Sequence, residues 1–429
     1  MTRITAISIG SLLAMGLLVG CNPPSETNGG GNGGGPDGGS TSGRAMPGKE
    51  GNSYSSGDVK IGIIASLTGE LQPWGEDSLR GAQLAVDEFN AAGGLDGKKV
   101  QLVIEDTASK PEVGKSAAIK LIGEDQVLGL LGEVSSGITI QAAAVAQEEG
   151  VPIVAIGATK VEVTQAGAAV FRACFTDNFQ GAAIAKFAYD ELGLRNVAVM
   201  TDKKQPYSVG LSDVFKQAFE SFGGKIATEE FYESGGNFDF KAQLTNVKSA
   251  NPDGLFCSGY FTEVGPIARQ REQVGLNVPM IGGDGWDSSK LLDSGGAGII
   301  GGYFLNHYHN SEDRAEVKEF VSKFKAKYNM EPATAMGALG YDAALVMLDA
   351  LKRTKELNSR SLMESIAGTN EVRGVSGTIS IGADGNAQKP ALMLKVEKGG
   401  FLAYKQIPFF VFDPSAKAGA GTEAEGQSE

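Results

Sequence analysis

From Val59 onward the chain alternates short apolar runs with stretches of helical periodicity, and it completes that alternation in two successive rounds. Such a pattern predicts parallel strands joined by crossover helices, because a parallel pair needs a long connection and a helix supplies one. Val59–Ser66 (VKIGIIAS) is almost continuously apolar, as a strand covered on both faces must be. In Glu76–Asn90, Leu79, Ala82, Val86 and Phe89 fall three or four apart and make one apolar stripe. Gly93-Gly94 ends that helix, since glycine takes the left-handed cap without strain. Strands at Lys99–Glu105, Val127–Gly132 and Val151–Ile156, with helices at Glu112–Gly123 and Ile138–Glu148, complete four β-α steps. The second round places strands at Asn196–Thr201, Lys225–Tyr232, Gly254–Gly259 and Val278–Gly282. Its helices are Phe179–Leu192, Gly210–Phe222, Phe238–Ser249 and Glu263–Val274. A strand over Ile299–Asn306, helices at Ala315–Tyr328, Thr334–Arg353 and Ser361–Ile366, and strands at Gly377–Ile381, Ala391–Glu397 and Phe401–Pro408 close the pattern. The fold class is therefore α/β, as two doubly wound lobes. Open α/β sheets bind ligands at the C-terminal ends of their strands, so the cleft between lobes is the default site.

What precedes Val59 is of a different kind. Met1–Gly20 has one charge, Arg3, followed by an apolar run too short for a comfortable membrane span. It ends Leu18-Val19-Gly20-Cys21, and small residues directly before a cysteine mark a bacterial lipoprotein signal. Cleavage is expected before Cys21, which would carry lipid. An ordinary signal peptide and an uncleaved anchor are the competing readings. Asn28–Gly43 (NGGGNGGGPDGGSTSG) has no apolar residue able to join a core. A glycine-rich coil from Cys21 to Asp58 would reach roughly 30–40 Å, enough for a folded body to hang free of a membrane. A body outside the cytoplasm has no supply of ATP or NAD, which removes most support for nucleotide-driven chemistry.

Charge and composition exclude more. The formal charge is −13, and loss of Arg3 with residues 1–20 takes it to −14. Nucleic acid is an unsuitable partner, since neutralising phosphates requires a Lys/Arg surface. After Cys21 the remaining cysteines, Cys174 and Cys257, lie in apolar strand-like runs, and two buried thiols are expected rather than a disulfide. With only His307 and His309 as histidines, no metal site is expected. No GxSxG elbow or HExxH helix occurs, and neither histidine is placed as a catalytic base, so the chain is not expected to be an enzyme or to use a cofactor. Gly114-Lys115-Ser116 resembles the end of a P-loop, but Ser109 stands where the first glycine belongs.

The loops after the strands carry the candidate chemistry. Ser66–Gly75 ends the first strand and holds Trp74; Glu133–Gly137 follows the third and holds Ser135 and Ser136; Gly157-Ala158-Thr159 follows the fourth. The second lobe offers Tyr207, Tyr260 and the run Gly282-Gly283-Asp284-Gly285-Trp286. Hydroxyls and free N–H groups at a helix start suit a carboxylate. An aspartate across the cleft suits an ammonium, and the aromatics could wall an apolar pocket. Together these describe a free amino acid. Each element also has a plain structural reading: Ser135 or Ser136 as an N-cap, Asp284 as a turn residue, the aromatics as packing between lobes.

The stretches KIGIIASLTGELQPWGEDSLRGAQLAVDEFNAAGGLDGKKVQLVIED, VPIVAIGATKVEVT, VFRACFTDNFQGAAIAKFAYDELG and GYFTEVGPIARQREQVGLNVPMIGGDGW occur in that order. In them the chain resembles the type I periplasmic solute-binding proteins of ABC transporters, in the leucine/isoleucine/valine branch, from about Val59 to Phe412. The resemblance implies two lobes joined by a three-stranded hinge, with crossings near Phe175–Asn178, Asn306–Asn310 and Val375–Gly377. Lobe I would be residues 58–176 plus 309–376, and lobe II residues 177–308 plus 377–412. Residues 21–57 would be the tether and 413–429 a disordered acidic tail. It implies that Ser136 (with Ser135 beside it), Gly157, Ala158 and Thr159 hold the α-carboxylate and ammonium of the ligand. Trp74 would cover the ligand side chain, with Tyr207 and Tyr260 facing it from the second lobe and Asp284 on the ammonium. The branch commonly has glutamate at that last position. Aspartate is one methylene shorter, so the ammonium must sit closer to the second lobe or be bridged by water; neighbouring Trp286 bears on the same question. The implied partners are the amino acid, the permease subunits of an importer and a membrane reached only through the N-terminal lipid, with the protein monomeric. An amide- or urea-type receptor on the same fold is the alternative.

Overall fold

The computed structural model describes residues 43–236 and 238–412. Cys21, the first part of the glycine-rich stretch and the expected acidic tail lie outside the described residues. Among those described, no helix is long and apolar enough to cross a membrane.

The first round of the alternation folds as five strands: β1 (Val59–Ala65), β2 (Val100–Asp106), β3 (Gly129–Gly132), β4 (Ile153–Ala155) and β5 (Val170–Arg172). Their connecting helices are α1 (Gln72–Ala91), α2 (Pro111–Gly123), α3 (Ser136–Glu149) and the one-turn α4 (Glu162–Gln165). All pairings are parallel, in the order β2-β1-β3-β4-β5, and β1 runs in register with β2 from Val59 opposite Val100 to Ala65 opposite Asp106. The fifth strand adds one step to the four expected. It falls within the apolar, strand-like run that holds Cys174, of which only Val170–Arg172 pairs with β4.

Helix α5 (Asp177–Asp190) then opens the second round. Its elements are β6 (Asn196–Asp202), α6 (Pro206–Ser221), β7 (Lys225–Tyr232), α7 (Lys241–Ser249), β8 (Gly254–Cys257), α8 (Phe261–Gln273), β9 (Met280–Gly282), α9 (Ser289–Gly295) and β10 (Tyr303–Asn306). Helices α10 (Ala315–Tyr328), α11 (Ala335–Arg353) and α12 (Ser359–Ala367) follow. Strands β11 (Val372–Gly374), β12 (Gly377–Ile381) and β13 (Ala387–Gln388) form a small antiparallel sheet. The last strands, β14 (Ala391–Glu397) and β15 (Gly400–Ile407), join antiparallel to the second sheet, whose order is β15-β14-β10-β9-β8-β6-β7. These are the two doubly wound lobes, and the chain passes between them three times.

The first two passages are β5 to α5 and β10 to α10. The third comes at Lys389 and Pro390, later than the expected Val375–Gly377. Strands β12 and β13 stay with the five-stranded lobe: Arg172 N–H donates to the Gly385 carbonyl at 3.0 Å, Ile381 N–H to the Thr369 carbonyl at 3.0 Å, and Thr164 Oγ1 to Asn386 Oδ1 at 3.0 Å. Pattern alone marks a strand but not the sheet it joins.

Helix α11 is apolar nearly all round and lies against α1. The contact is close enough that a Cβ on Gly81 would stand 1.9 Å from the Gly337 carbonyl oxygen. Cys174 and Cys257 are both buried and free. Burial pushes each thiol up to about 12, because an apolar setting disfavours the thiolate.

Candidate functional site

In each lobe the strand order reverses beside the first strand of its round, between β1 and β3 and between β6 and β8. A crevice opens at such a switch point, outside the carboxyl ends of the strands. The loops leaving β1, β3 and β4 carry Trp74, Ser135, Ser136, Gly157, Ala158 and Thr159. Those leaving β6, β8 and β9 carry Tyr207, Tyr260 and Asp284. The two sets of loops meet.

Trp74 stands in the first turn of α1, which packs so tightly on the end of β1 that a Cβ on Gly75 would lie 1.9 Å from the Ser66 carbonyl oxygen. The indole reaches the other lobe, where its Nε1 donates to the Asp287 carbonyl at 2.7 Å. Its ring meets Tyr260 and Phe261 edge-on, at centroid distances of 5.1 and 5.0 Å. Tyr260 in turn stacks on Tyr207 at 5.2 Å. Aromatic rings from both lobes therefore meet at the ends of these strands.

Opposite it lies the start of α3. Ser135 is the N-cap residue, yet its side chain makes no capping bond; its Oγ lies 3.4 Å from Tyr260 Oη across the cleft. The plain capping reading of this serine thus fails, and the first N–H groups of α3 are left without a capping side chain. Ser136 Oγ accepts from Lys160 N–H at 3.3 Å. Glu133, unmarked by any sequence signal, holds this loop: its Oε1 accepts from Ser66 Oγ at 2.5 Å and its Oε2 from Ser135 N–H at 2.7 Å. Burial pushes its carboxyl upward despite these donors. Gly157 N–H donates to the Glu133 carbonyl at 3.3 Å. Ala158 gives its carbonyl to the buried Arg172 guanidinium at 2.8 Å, and the Thr159 carbonyl accepts from Asp177 N–H at 2.9 Å.

The acidic side of the cleft is more elaborate than the sequence indicates. Asp284 begins a single 3-10 turn, Asp284–Trp286, and is buried. Its N–H donates to Gln180 Oε1 at 2.8 Å, and Gln180 Nε2 donates to Asp177 Oδ1 at 3.1 Å, so one side-chain amide ties the Asp284 backbone to the Asp177 carboxylate. A Cβ on Gly283 would stand 2.4 Å from Gln180 Oε1 and 2.6 Å from Tyr207 Oη, so only glycine admits this approach. Burial, and then Asp284, push Asp177 up to about 7. Asp284 Oδ2 lies 3.0 Å from His307 Nε2. Its Oδ1 has no partner at hydrogen-bond geometry, although the Tyr207 hydroxyl is close by. A polar oxygen buried in this way is costly unless something donates to it.

Asp287 joins the lobes directly. Its Oδ2 accepts from Ala335 N–H at 2.5 Å, at the first residue of α11, while its carbonyl receives Trp74. Burial pushes it up to about 7. Asp77 binds the same helix start from α1, with Oδ2 accepting from Ala333 and Thr334 N–H at 2.8 and 2.7 Å.

Trp286 is placed elsewhere. Its Nε1 donates to the Cys257 carbonyl at 3.0 Å, and its ring covers Gly282 and approaches Phe304 at 6.1 Å, within the core of the seven-stranded lobe. Of the residues that sequence reading did not assign to the site, Glu133, Gln180, Asp287 and His307 each bond a partner from a different element, and the Asp177 carboxylate joins them through Gln180 on its own helix. Among the described residues no group of three or more acidic, cysteine or histidine side chains could hold a metal ion.

Two doubly wound lobes whose switch points face one another across a polar, aromatic-walled cleft define a hinged small-molecule-binding protein. The chain belongs to the periplasmic binding protein family, whose model matches residues 58–400. It is 32% identical over 343 residues to Leu/Ile/Val-binding protein homolog 3 of Brucella melitensis, covering 79% of this chain and 91% of that one. It is 31% identical over 349 residues to the Leu/Ile/Val-binding protein BraC3 of Rhizobium johnstonii, covering 81% and 94%. Among solved structures it is similar to the leucine-binding protein LivK of Thermotoga maritima, with a TM-score of 0.77 and 38% identity over 82% of this chain and 99% of that one. It is also similar to the branched-chain amino acid transporter substrate-binding protein LivJ of Streptococcus pneumoniae in complex with isoleucine, with a TM-score of 0.76 and 32% identity over 82% and 99%.

Proposed function

We propose that this chain is the substrate-binding protein of an ABC importer that captures a free amino acid, branched-chain or otherwise aliphatic, and delivers it to a membrane permease. Its lobes, 58–176 with 309–388 and 177–308 with β14 and β15, close on the ligand about the three passages. Hinge closure of this kind is general to periplasmic binding proteins. It is held outside the cytoplasm by lipid on Cys21, acts as a monomer and performs no catalysis.

The observation that carries this reading is the pairing of opposite recognition chemistries across one cleft. The uncapped start of α3, with the Ser135 and Ser136 hydroxyls and Thr159, suits a carboxylate. The free Oδ1 of Asp284 suits an ammonium. Trp74, Tyr207 and Tyr260 supply the apolar wall between them. The curated relatives named for leucine, isoleucine and valine, and the isoleucine complex, support the same ligand class.

The test is thermal unfolding of the full chain, refolded to strip bound ligand, against amino acids, small amides and urea. A true ligand at 100 times its dissociation constant adds about 2.7 kcal/mol of stability. Stabilisation by aliphatic amino acids supports the reading. Stabilisation by amides or urea, with no amino acid active, refutes it in favour of an amide receptor.

A further inference from the structure

We propose that His307 is the positioning residue that sets Asp284 as a receptor for a primary ammonium, so that amine selectivity is built into the hinge. This deepens the amino-acid reading of the cleft and rests on it.

His307 directly follows β10, in the second passage between the lobes, and is buried. Its Nε2 lies 3.0 Å from Asp284 Oδ2. A carboxylate only accepts, so Nε2 carries the proton and donates. The ring is fixed by stacking rather than by a second hydrogen bond: it lies on Phe175 at 3.7 Å between centroids and 17° between planes, and its Nδ1 has no partner among the described residues. Phe175 belongs to the first passage, so two of the three hinge segments hold the ring. His307 N–H is itself bound to Asn306 Oδ1 at 2.8 Å.

Three consequences follow from chemistry. A donor on Oδ2 fixes the plane of a side chain with little reach of its own, and leaves Oδ1 as the free acceptor. The donor must be neutral, because a lysine or arginine there would cancel the charge an ammonium seeks. Burial supplies that condition, holding the imidazole down to about 4 against the pull of Asp284, with Lys389 acting in the same direction as burial. A neutral imidazole thus orients the aspartate without neutralising it, which compensates for the methylene that separates it from glutamate.

The experiment is calorimetric titration of the full chain with leucine and with its deaminated analogue 4-methylpentanoate. His307→Phe keeps a planar ring on Phe175 and removes the donor; His307→Gln restores a neutral N–H. Leucine affinity should fall about tenfold or more in His307→Phe, the loss of one hydrogen bond to a charged group. The analogue should be little affected, and His307→Gln should recover most of the loss. Equal weakening of both ligands, or unchanged leucine preference, overturns the proposal. In the unaltered protein, nitrogen NMR of the two histidines reads the tautomer directly. An Nε2–H form of His307 supports the assignment and an Nδ1–H form overturns it. If the unaltered protein binds amides and no amino acid, the amino-acid reading falls first and this inference with it.

Discussion

Replacing Asp287 with asparagine should remove a pH-dependent part of ligand affinity. The carboxylate sits between the lobes, bonded to Ala335 N–H at 2.5 Å and buried, and burial lifts it from 3.8 to about 7. When the lobes part it meets water and regains its ordinary value. The closed form therefore binds more protons than the open form between about pH 4 and 7, and closure strengthens as pH falls through that window. At pH 7 the closed-state carboxyl is half protonated; at pH 5 it is almost wholly so, while the open state is still ionised. From pH 7 to 5 this group alone should favour closure by about 2 kcal/mol, on the order of 10- to 50-fold in affinity. Asp177 and His307 titrate near the same range, so the wild-type profile by itself is not diagnostic. Asparagine keeps an acceptor for Ala335 and cannot titrate. The ratio of wild-type to Asp287→Asn affinity, measured by calorimetry at pH 5, 6 and 7, isolates the term. It should rise steadily toward pH 5, and a flat ratio would refute a titrating Asp287 at the closed interface.

Asp284→Ala should weaken amino-acid binding by about 1–3 kcal/mol or more, because an ammonium would be left without its acceptor; unchanged affinity in a titration would remove Asp284 from the site. Lys389 is buried, donates to Ser376 Oγ beside Asp342, and is held down to about 8 by burial. The unfolded chain therefore binds more protons between about pH 8 and 10.5, and this group's contribution to stability should rise with pH across that interval, seen as a higher urea midpoint. Lys389→Met, which takes the buried donor from Ser376 Oγ and the nearby positive charge from Asp342, should cost about 1–3 kcal/mol in the same assay. Native protein should resist thiol reagents at both Cys174 and Cys257 and react only on unfolding; rapid labelling of either would contradict their burial.

Most of the fold was legible because hydrophobic periodicity is local. The stripe through Leu79, Ala82, Val86 and Phe89 announces α1 without reference to any other segment, and the apolar runs mark β1, β6 and β14 almost to the residue. The loops after β1, β3, β4, β6, β8 and β9 follow from the same pattern, since a doubly wound sheet puts those loops at one edge. That is why Trp74, Ser135, Ser136, Thr159, Tyr207, Tyr260 and Asp284 could be placed on the strand-end loops from the chain alone. Trp286 shows the limit: an aromatic ring carries the same apolar signal whether it walls a pocket or fills a core, and here it fills one.

What the sequence by itself determined was the alternation of elements, the edge at which chemistry would gather and the resemblance that joins them. Tertiary structure alone decided the partnerships. Asp287 meets Ala335 from 48 positions away, Gln180 meets Asp284 across 104, and Trp74 meets Asp287 across 213. It also decided that the third passage lies at Lys389 and Pro390, and that His307 faces Asp284. The physical reason is that periodicity reports which side of an element is apolar, whereas hydrogen bonds and buried charges depend on which elements the chain later brings together.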